Sequence, residues 1–251
     1  MEMEQIAALL SPPDIFAGKR ALCVQPHPDD NEVGMGGIIA KLAAAGCEVH
    51  YLTVTDGDLG THSEALTGPA LVKTRAAEVR ASGDLLGVSK YHFFGLPDGS
   101  LNDAAGLAGR IAELMRRYDI DMVFCPDPWM PYEAHRDHVV TGQACAQAFI
   151  SADLLHFPRD TETKPCHPFA IGFYNTNSVN TVVDISDVFD LKFQAMAAHA
   201  SQFDQQTLAL YRVYFAMRGQ KLAQGQEFAL GEGLRVMSPL HMHCFPDALE
   251  I

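Results

Sequence analysis

Strand-like and helix-like segments take turns along the first 150 residues, and this alternation constrains the fold more than any other feature of the chain. Short apolar runs at 20–25, 49–55, 91–94 and 122–125 are separated by segments of helical spacing at 33–45, 71–86 and 107–118, with a further helix expected at 139–149. Gly46 and Gly87 stand where the first two helices must stop. Parallel strands need a crossover connection, which a helix supplies. The order therefore predicts a Rossmann-like α/β fold, a mostly parallel sheet covered by helices on both faces. Further on, strands are expected at 169–174 and 181–184, and helices at 188–199 and 205–222. No repeat, low-complexity tract or linker divides the chain, so residues 1–251 read as a single domain with a C-terminal extension. In open sheets of this kind ligands bind beyond the carboxyl ends of the strands. That rule says where to look for chemistry.

Composition narrows the partners. Apolar residues at 48% and charged residues at 20% are an ordinary globular balance. A net charge of −13 without any run of Lys or Arg excludes nucleic acid, whose phosphates need a basic footprint. No apolar run approaches the ~20 residues that cross a bilayer, so no membrane is expected. The opening Met-Glu-Met-Glu-Gln lacks the basic region of a signal peptide, and the six cysteines include no Cys-x-x-Cys pair. A cytoplasmic location is the expectation.

Directly after the first strand comes Pro26-His27-Pro28-Asp29-Asp30-Asn31-Glu32. A histidine and two adjacent carboxylates are thus delivered to the functional edge of the sheet. His27 and Asp30 carry nitrogen and oxygen donors that suit zinc, which in catalytic sites takes three protein ligands and a water. Capping of the following helix accounts for one aspartate but not for a histidine beside two carboxylates. A third ligand is expected at the end of the fourth strand, where Glu133-Ala134-His135-Arg136-Asp137-His138 follows. His135 and His138, three apart, share one face of a helix's first turn. One could close a metal site while the other meets substrate. The His135-Arg136-Asp137 triplet also mimics a kinase catalytic loop, but Gly142 occupies the expected asparagine position and no kinase glycine-rich loop exists. Gly34-Met35-Gly36-Gly37 lacks the dinucleotide pattern and fits close packing of a helix on the sheet.

With these motifs the chain resembles the LmbE-like, or PIG-L, N-acetylglucosaminyl de-N-acetylases. The resemblance rests on 26–32, Thr55-Asp56-Gly57, Arg75-Ala76-Ala77-Glu78, Gly95-Leu96-Pro97-Asp98-Gly99, 135–138 and His199-Ala200-Ser201-Gln202, in the family's order. It implies zinc-dependent hydrolysis of an N-acetyl group on an amino sugar or glycoconjugate, releasing acetate and a free amine. It implies one zinc ion per chain on His27, Asp30 and His138, with Asp29 as general base and His135 stabilising the oxyanion. Two departures stand out. Asn31 occupies the place of the family's usual glutamate, with Glu32 following, and Arg136 replaces a proline often found inside the His-x-x-His.

Other residues have two readings each. Arg75 matches an arginine that approaches the base and the sugar, or is a solvated helix residue. Asp98 contacts a sugar hydroxyl or initiates a turn with Gly99. Trp129 stacks on a sugar ring or packs inside. His241 and His243 near the C-terminus resemble a histidine with which some relatives acting on acetylated chitobiose complete a neighbour's pocket, which implies a homo-oligomer, a trimer or hexamer. The rival functions are a metal-dependent amidase or phosphoesterase on a non-sugar substrate, and a carbohydrate-binding relative without catalysis.

Overall fold

The computed structural model describes residues 10–243. The N-terminal pentapeptide and Cys244 lie outside them, and the other five cysteines are buried free thiols. Strands β1 (Arg20–Gln25), β2 (Glu48–Thr55), β3 (Lys90–Leu96), β4 (Met122–Pro126), β5 (Ala170–Tyr174), β6 (Thr181–Asp184) and β7 (Gly231–Met237) alternate with helices α1 (Asp30–Ala44), α2 (Gly68–Leu86), α3 (Ala104–Tyr118), α4 (Arg136–Ser151), α5 (Phe189–Ala197) and α6 (Gln205–Leu222). The strands line up in the order β3-β2-β1-β4-β5-β7-β6. Pairings from β3 through to β5 are parallel, while β7 runs antiparallel between β5 and β6.

Alternation along each strand feeds two cores. In β1, Ala21 and Cys23 face one layer while Leu22 and Val24 face the other. The first layer is closed by α1, α2 and α5, the second by α3 and α4. Such double burial is what parallel strands require. The glycines of α1 pack as expected: a Cβ at Gly34 would stand 2.3 Å from the Tyr174 ring, and one at Gly37 2.7 Å from Ile185. Gly87 ends α2 in a left-handed conformation at φ 83°, which a side chain would oppose.

Strand β7 has no counterpart in the expected elements. Its sequence, Gly-Glu-Gly-Leu-Arg-Val-Met, lacks an apolar run, yet every residue is buried. Glu232 supplies the reason. Its carboxylate pairs with Lys192 of α5 at 2.5 Å and accepts the Ile38 N–H of α1 at 2.8 Å. That amide follows an interruption in α1, where Met35 leaves helical geometry at φ −151°, ψ 28°. A buried ion pair thus completes the backbone bonding of a kinked helix.

The switch point lies between β1 and β4, from which the chain runs outward in both directions. The two motifs that follow these adjacent strands are therefore neighbours in space.

Candidate metal centre and active site

Asp29 stands at the turn between β1 and α1 with φ 112°, a left-handed conformation that an aspartate adopts at a cost. The turn swings Asp29 and Asp30 into different environments. Asp29 Oδ2 accepts a bond from Arg75 Nη2 at 3.2 Å. Asp30 instead reaches the imidazoles, with Oδ2 3.2 Å from His27 Nδ1 and Oδ1 3.3 Å from His138 Nε2. Residues from the ends of β1 and β4 thus meet on one carboxylate. His135 caps α4 and His138 sits in its first turn, with their rings stacked at 4.9 Å between centroids. The shared helix face expected from the three-residue spacing is observed.

Metal-compatible donors converge here in two groups among the described residues, and Asp30 belongs to neither. One ligating atom each from His27, His135 and His138 lies within 4.8 Å of the others, and the same holds for His27, Asp98 and Asp137. Ligands held about 2.0–2.2 Å from a tetrahedral zinc stand roughly 3.3–3.5 Å apart. Asp30 makes contacts near that length with both histidines, through different oxygens, Oδ2 to His27 and Oδ1 to His138. The electrostatics agree. Burial disfavours a charged His27, but its bonds to Asp30 and Asp98 outweigh burial and lift its pKa to about 10. Burial likewise opposes ionisation of Asp30, and His138 and His27 overcome it, holding that carboxyl well below its ordinary value. A field that favours positive charge here favours a cation also. Asp29 moves the other way: burial, then the negative neighbour Asp30, lifts its carboxyl above the usual range against the pull of Arg75. Two adjacent aspartates are split into opposite protonation tendencies, the pattern of an acid–base site. His135 is lowered, by burial and then by the neighbouring imidazoles.

Several side chains hold this arrangement. Arg75 is 3% exposed and donates to Gly57 O, Pro28 O and Asp29, so the solvated-helix reading is overturned. Asp98 Oδ1 lies 3.2 Å from His27 Nε2. Asp137, fully buried, approaches the same nitrogen at 3.4 Å and accepts the backbone N–H groups of Gly99 and Leu101. Two carboxylates therefore back the ring nitrogen opposite Asp30, as second partners do for ligating histidines. No functional role for Asp137 was legible in the sequence, although it stands between the two histidines. The Arg75–Glu78 and His199–Gln202 motifs also meet: Ser201 bonds to Glu78, and Gln202 donates to Gly60 O. His199 joins Ser82 at 3.0 Å and Glu32 at 3.3 Å in a fully buried cluster beneath the turn. Asn31 is buried as well, bonded to Cys23 O and Gln25.

Trp129 is 58% exposed, its ring edge-on to Phe173, so it is not an interior residue. His241 and His243 follow β7, whose Met237 pairs with Ile171 at the start of β5. They lie at the amino edge of the parallel strands, across the sheet from His27 and His138, and within one chain they do not meet the cluster. His241 is buried, its Nδ1 accepting the Ser238 N–H, while His243 is exposed.

Fold and cluster together define a class, an α/β enzyme with a candidate metal centre at the switch point of its sheet. Known proteins narrow it. The family model described as GlcNAc-PI de-N-acetylase, PIG-L, matches residues 22–149. A diacetylchitobiose deacetylase from Thermococcus kodakarensis is 36% identical, over 95% of this chain and 96% of that one. A 1D-myo-inositol 2-acetamido-2-deoxy-alpha-D-glucopyranoside deacetylase from Kineococcus radiotolerans is 30% identical over 53% of this chain and 45% of its own. The solved N,N'-diacetylchitobiose deacetylase from Pyrococcus horikoshii, in complex with an inhibitor, superposes with a TM-score of 0.89 at 32% identity, covering 100% of this chain and 98% of that one. The chain belongs to the PIG-L family, and it is a hydrolytic N-deacetylase.

Proposed function

We propose that this deacetylase is zinc-dependent and removes the acetyl group from the nitrogen of an amino sugar carried in a disaccharide or glycoconjugate. The observation that carries the reading is the Asp30 carboxylate within 3.3 Å of both His27 and His138, with Asp29 turned aside onto Arg75. His27, Asp30 and His138 would hold the ion, one per chain, and zinc when bound acidifies a water and polarises the amide carbonyl. Asp29 takes the proton of the attacking water, as a buried carboxyl with a raised pKa is suited to do. His135 donates its N–H to the carbonyl oxygen as negative charge develops there. Asp29 then returns the proton to the departing nitrogen. Water is consumed, the C–N bond breaks, and acetate and the free amine leave. Arg75 fixes Asp29 throughout, and Asp98 with Asp137 fixes His27.

The net charge of −13 argues against nucleic acid as a partner. No helix among the described residues is long and apolar enough to cross a membrane. Five buried free thiols favour a reducing, cytoplasmic location. A homo-oligomer, a trimer or hexamer, would bring a C-terminal histidine of one chain to the site of another.

The test is acetate release from N-acetylglucosamine, diacetylchitobiose and sugar–inositol conjugates, with metal content measured alongside. The expected result is about one zinc per chain and activity abolished by chelator and restored by zinc. Protein without divalent metal whose deacetylation ignores chelator would overturn the mechanism.

A further inference from the structure

An imidazole binds metal through a bare nitrogen, so its proton must sit on the other one, and what faces that other nitrogen sets the tautomer. His27 turns Nδ1 to Asp30 and Nε2 to Asp98 and Asp137. His138 is set the opposite way round. Its Nε2 lies 3.3 Å from Asp30 Oδ1, and its Nδ1 lies 3.3 Å from Glu133 Oε2. That Nδ1 is shut off from solvent and has no aligned hydrogen bond, so the carboxylate beside it is the acceptor within reach of its proton. Glu133 stands to His138 as Asp98 and Asp137 stand to His27.

The loop between β4 and α4 is shaped to deliver this carboxylate. Met130 N–H donates to Asp127 O and Glu133 N–H to Met130 O, folding the loop back in successive turns. Tyr132 lies between them in the left-handed region at φ 68°, with its side chain fully exposed. A bulky residue keeps such a conformation only where its surroundings impose it. The anchor is the next residue. Glu133 Oε1 accepts the His135 N–H at 2.7 Å while Oε2 faces the His138 ring. One carboxylate thus holds the backbone of one histidine and the imidazole of the other. With its side chain 26% exposed, the pair with His138 adds little stability. Its effect is orientation.

We propose that Glu133 is a positioning residue for the metal centre, fixing His138 as the tautomer protonated on Nδ1 and leaving Nε2 bare for zinc. The inference rests on the zinc reading above. Its test is the zinc affinity of metal-free protein, measured by competition with a chromophoric chelator. Glu133→Gln separates orientation from shape. Its amide oxygen still accepts the His135 N–H, which turns the NH2 group toward His138 Nδ1. A donor there favours the tautomer with its proton on Nε2, the wrong one for metal. Glu133→Gln and Glu133→Ala should each weaken zinc binding about 10–100-fold, with circular dichroism of the metal-free proteins unchanged. In nitrogen-edited NMR of zinc-loaded wild type, the His138 Nδ1 proton should be visible, because a bond to Glu133 slows its exchange with water. Fast exchange of that proton overturns the inference. Wild-type zinc affinity in Glu133→Gln overturns it too and leaves the metal centre standing, even if Glu133→Ala binds weakly. A His138→Ala protein that binds zinc as tightly as wild type, or a wild type that binds none, overturns the ligand set and this inference with it.

Discussion

Asp29 and Asp30 differ by one position and share every atom type, yet the turn at φ 112° sends them to different partners. Their asparagine variants should therefore fail differently. Asp30→Asn replaces an anionic group between two imidazoles by a neutral amide, and bound zinc should fall sharply in elemental analysis. Asp29→Asn keeps shape and metal but accepts no proton, so zinc should remain while turnover drops about 10²–10⁴-fold. Zinc lost from Asp29→Asn and retained in Asp30→Asn would mean that the two roles are exchanged. At this scale the sequence was informative because strand ends and the three-residue histidine spacing translate directly into position. It was silent on Asp137, whose hydrogen bonds run to Gly99 and Leu101, 38 and 36 positions away. No local pattern encodes such a contact. Asp98 was read as touching sugar or starting a turn, and its contact with His27 likewise depends on two strand ends meeting.

Elements with a clear period were legible, and β7 was not. Four of its seven residues are Gly231, Glu232, Gly233 and Arg235, which read locally as a loop. Only the distant cation of Lys192 and the interrupted α1 make Glu232 at home there. Removing one partner should accordingly cost far more than removing both. Lys192→Met leaves a buried carboxylate without its cation and should lower unfolding free energy by about 3–5 kcal/mol in urea titrations. The double variant Lys192→Met/Glu232→Gln should recover part of that loss, and strictly additive losses would show that the pair is not coupled. A second cluster lies at the amino ends of β2 and β3, where His50 and His92 approach at 3.4 Å. Burial, then the charges of His50, Lys90 and Arg117, lower His92 to about 4. Between that value and the ordinary 6.5 the unfolded chain binds the proton and the folded chain does not, so His92 makes stability rise with pH through this window. His92→Gln should flatten the pH dependence of the melting temperature between about 4 and 6.5 relative to wild type. Equal slopes for both proteins would remove His92 from the account.

In the whole molecule, the catalytic cluster and the C-terminal histidines occupy opposite edges of one sheet. A pocket completed by His243 would require the amino edge of one chain to face the carboxyl edge of another. Contacts between different surfaces of identical chains close into rings when the rotation permits, and a trimer, or two stacked as a hexamer, is such a ring. Exposed Leu210, Val213 and Met217 on the outer face of α6 supply apolar surface of the kind that assemblies cover. Sedimentation velocity should therefore show an oligomer, but assembly alone does not establish a shared pocket. Complementation does. Asp29→Asn has an intact His243 and lacks the base, while His243→Ala has the base and lacks the distal histidine. Each homo-oligomer should turn over poorly, with His243→Ala keeping its zinc. Co-expressed in equal amounts, the two chains should produce about one intact site in four, wherever an intact Asp29 faces a neighbour's intact His243. Activity should rise to about that fraction of wild type, well above the mean of the two variants measured separately. Mixed oligomers no more active than that mean, or a fully active monomer, would show that each chain completes its own site.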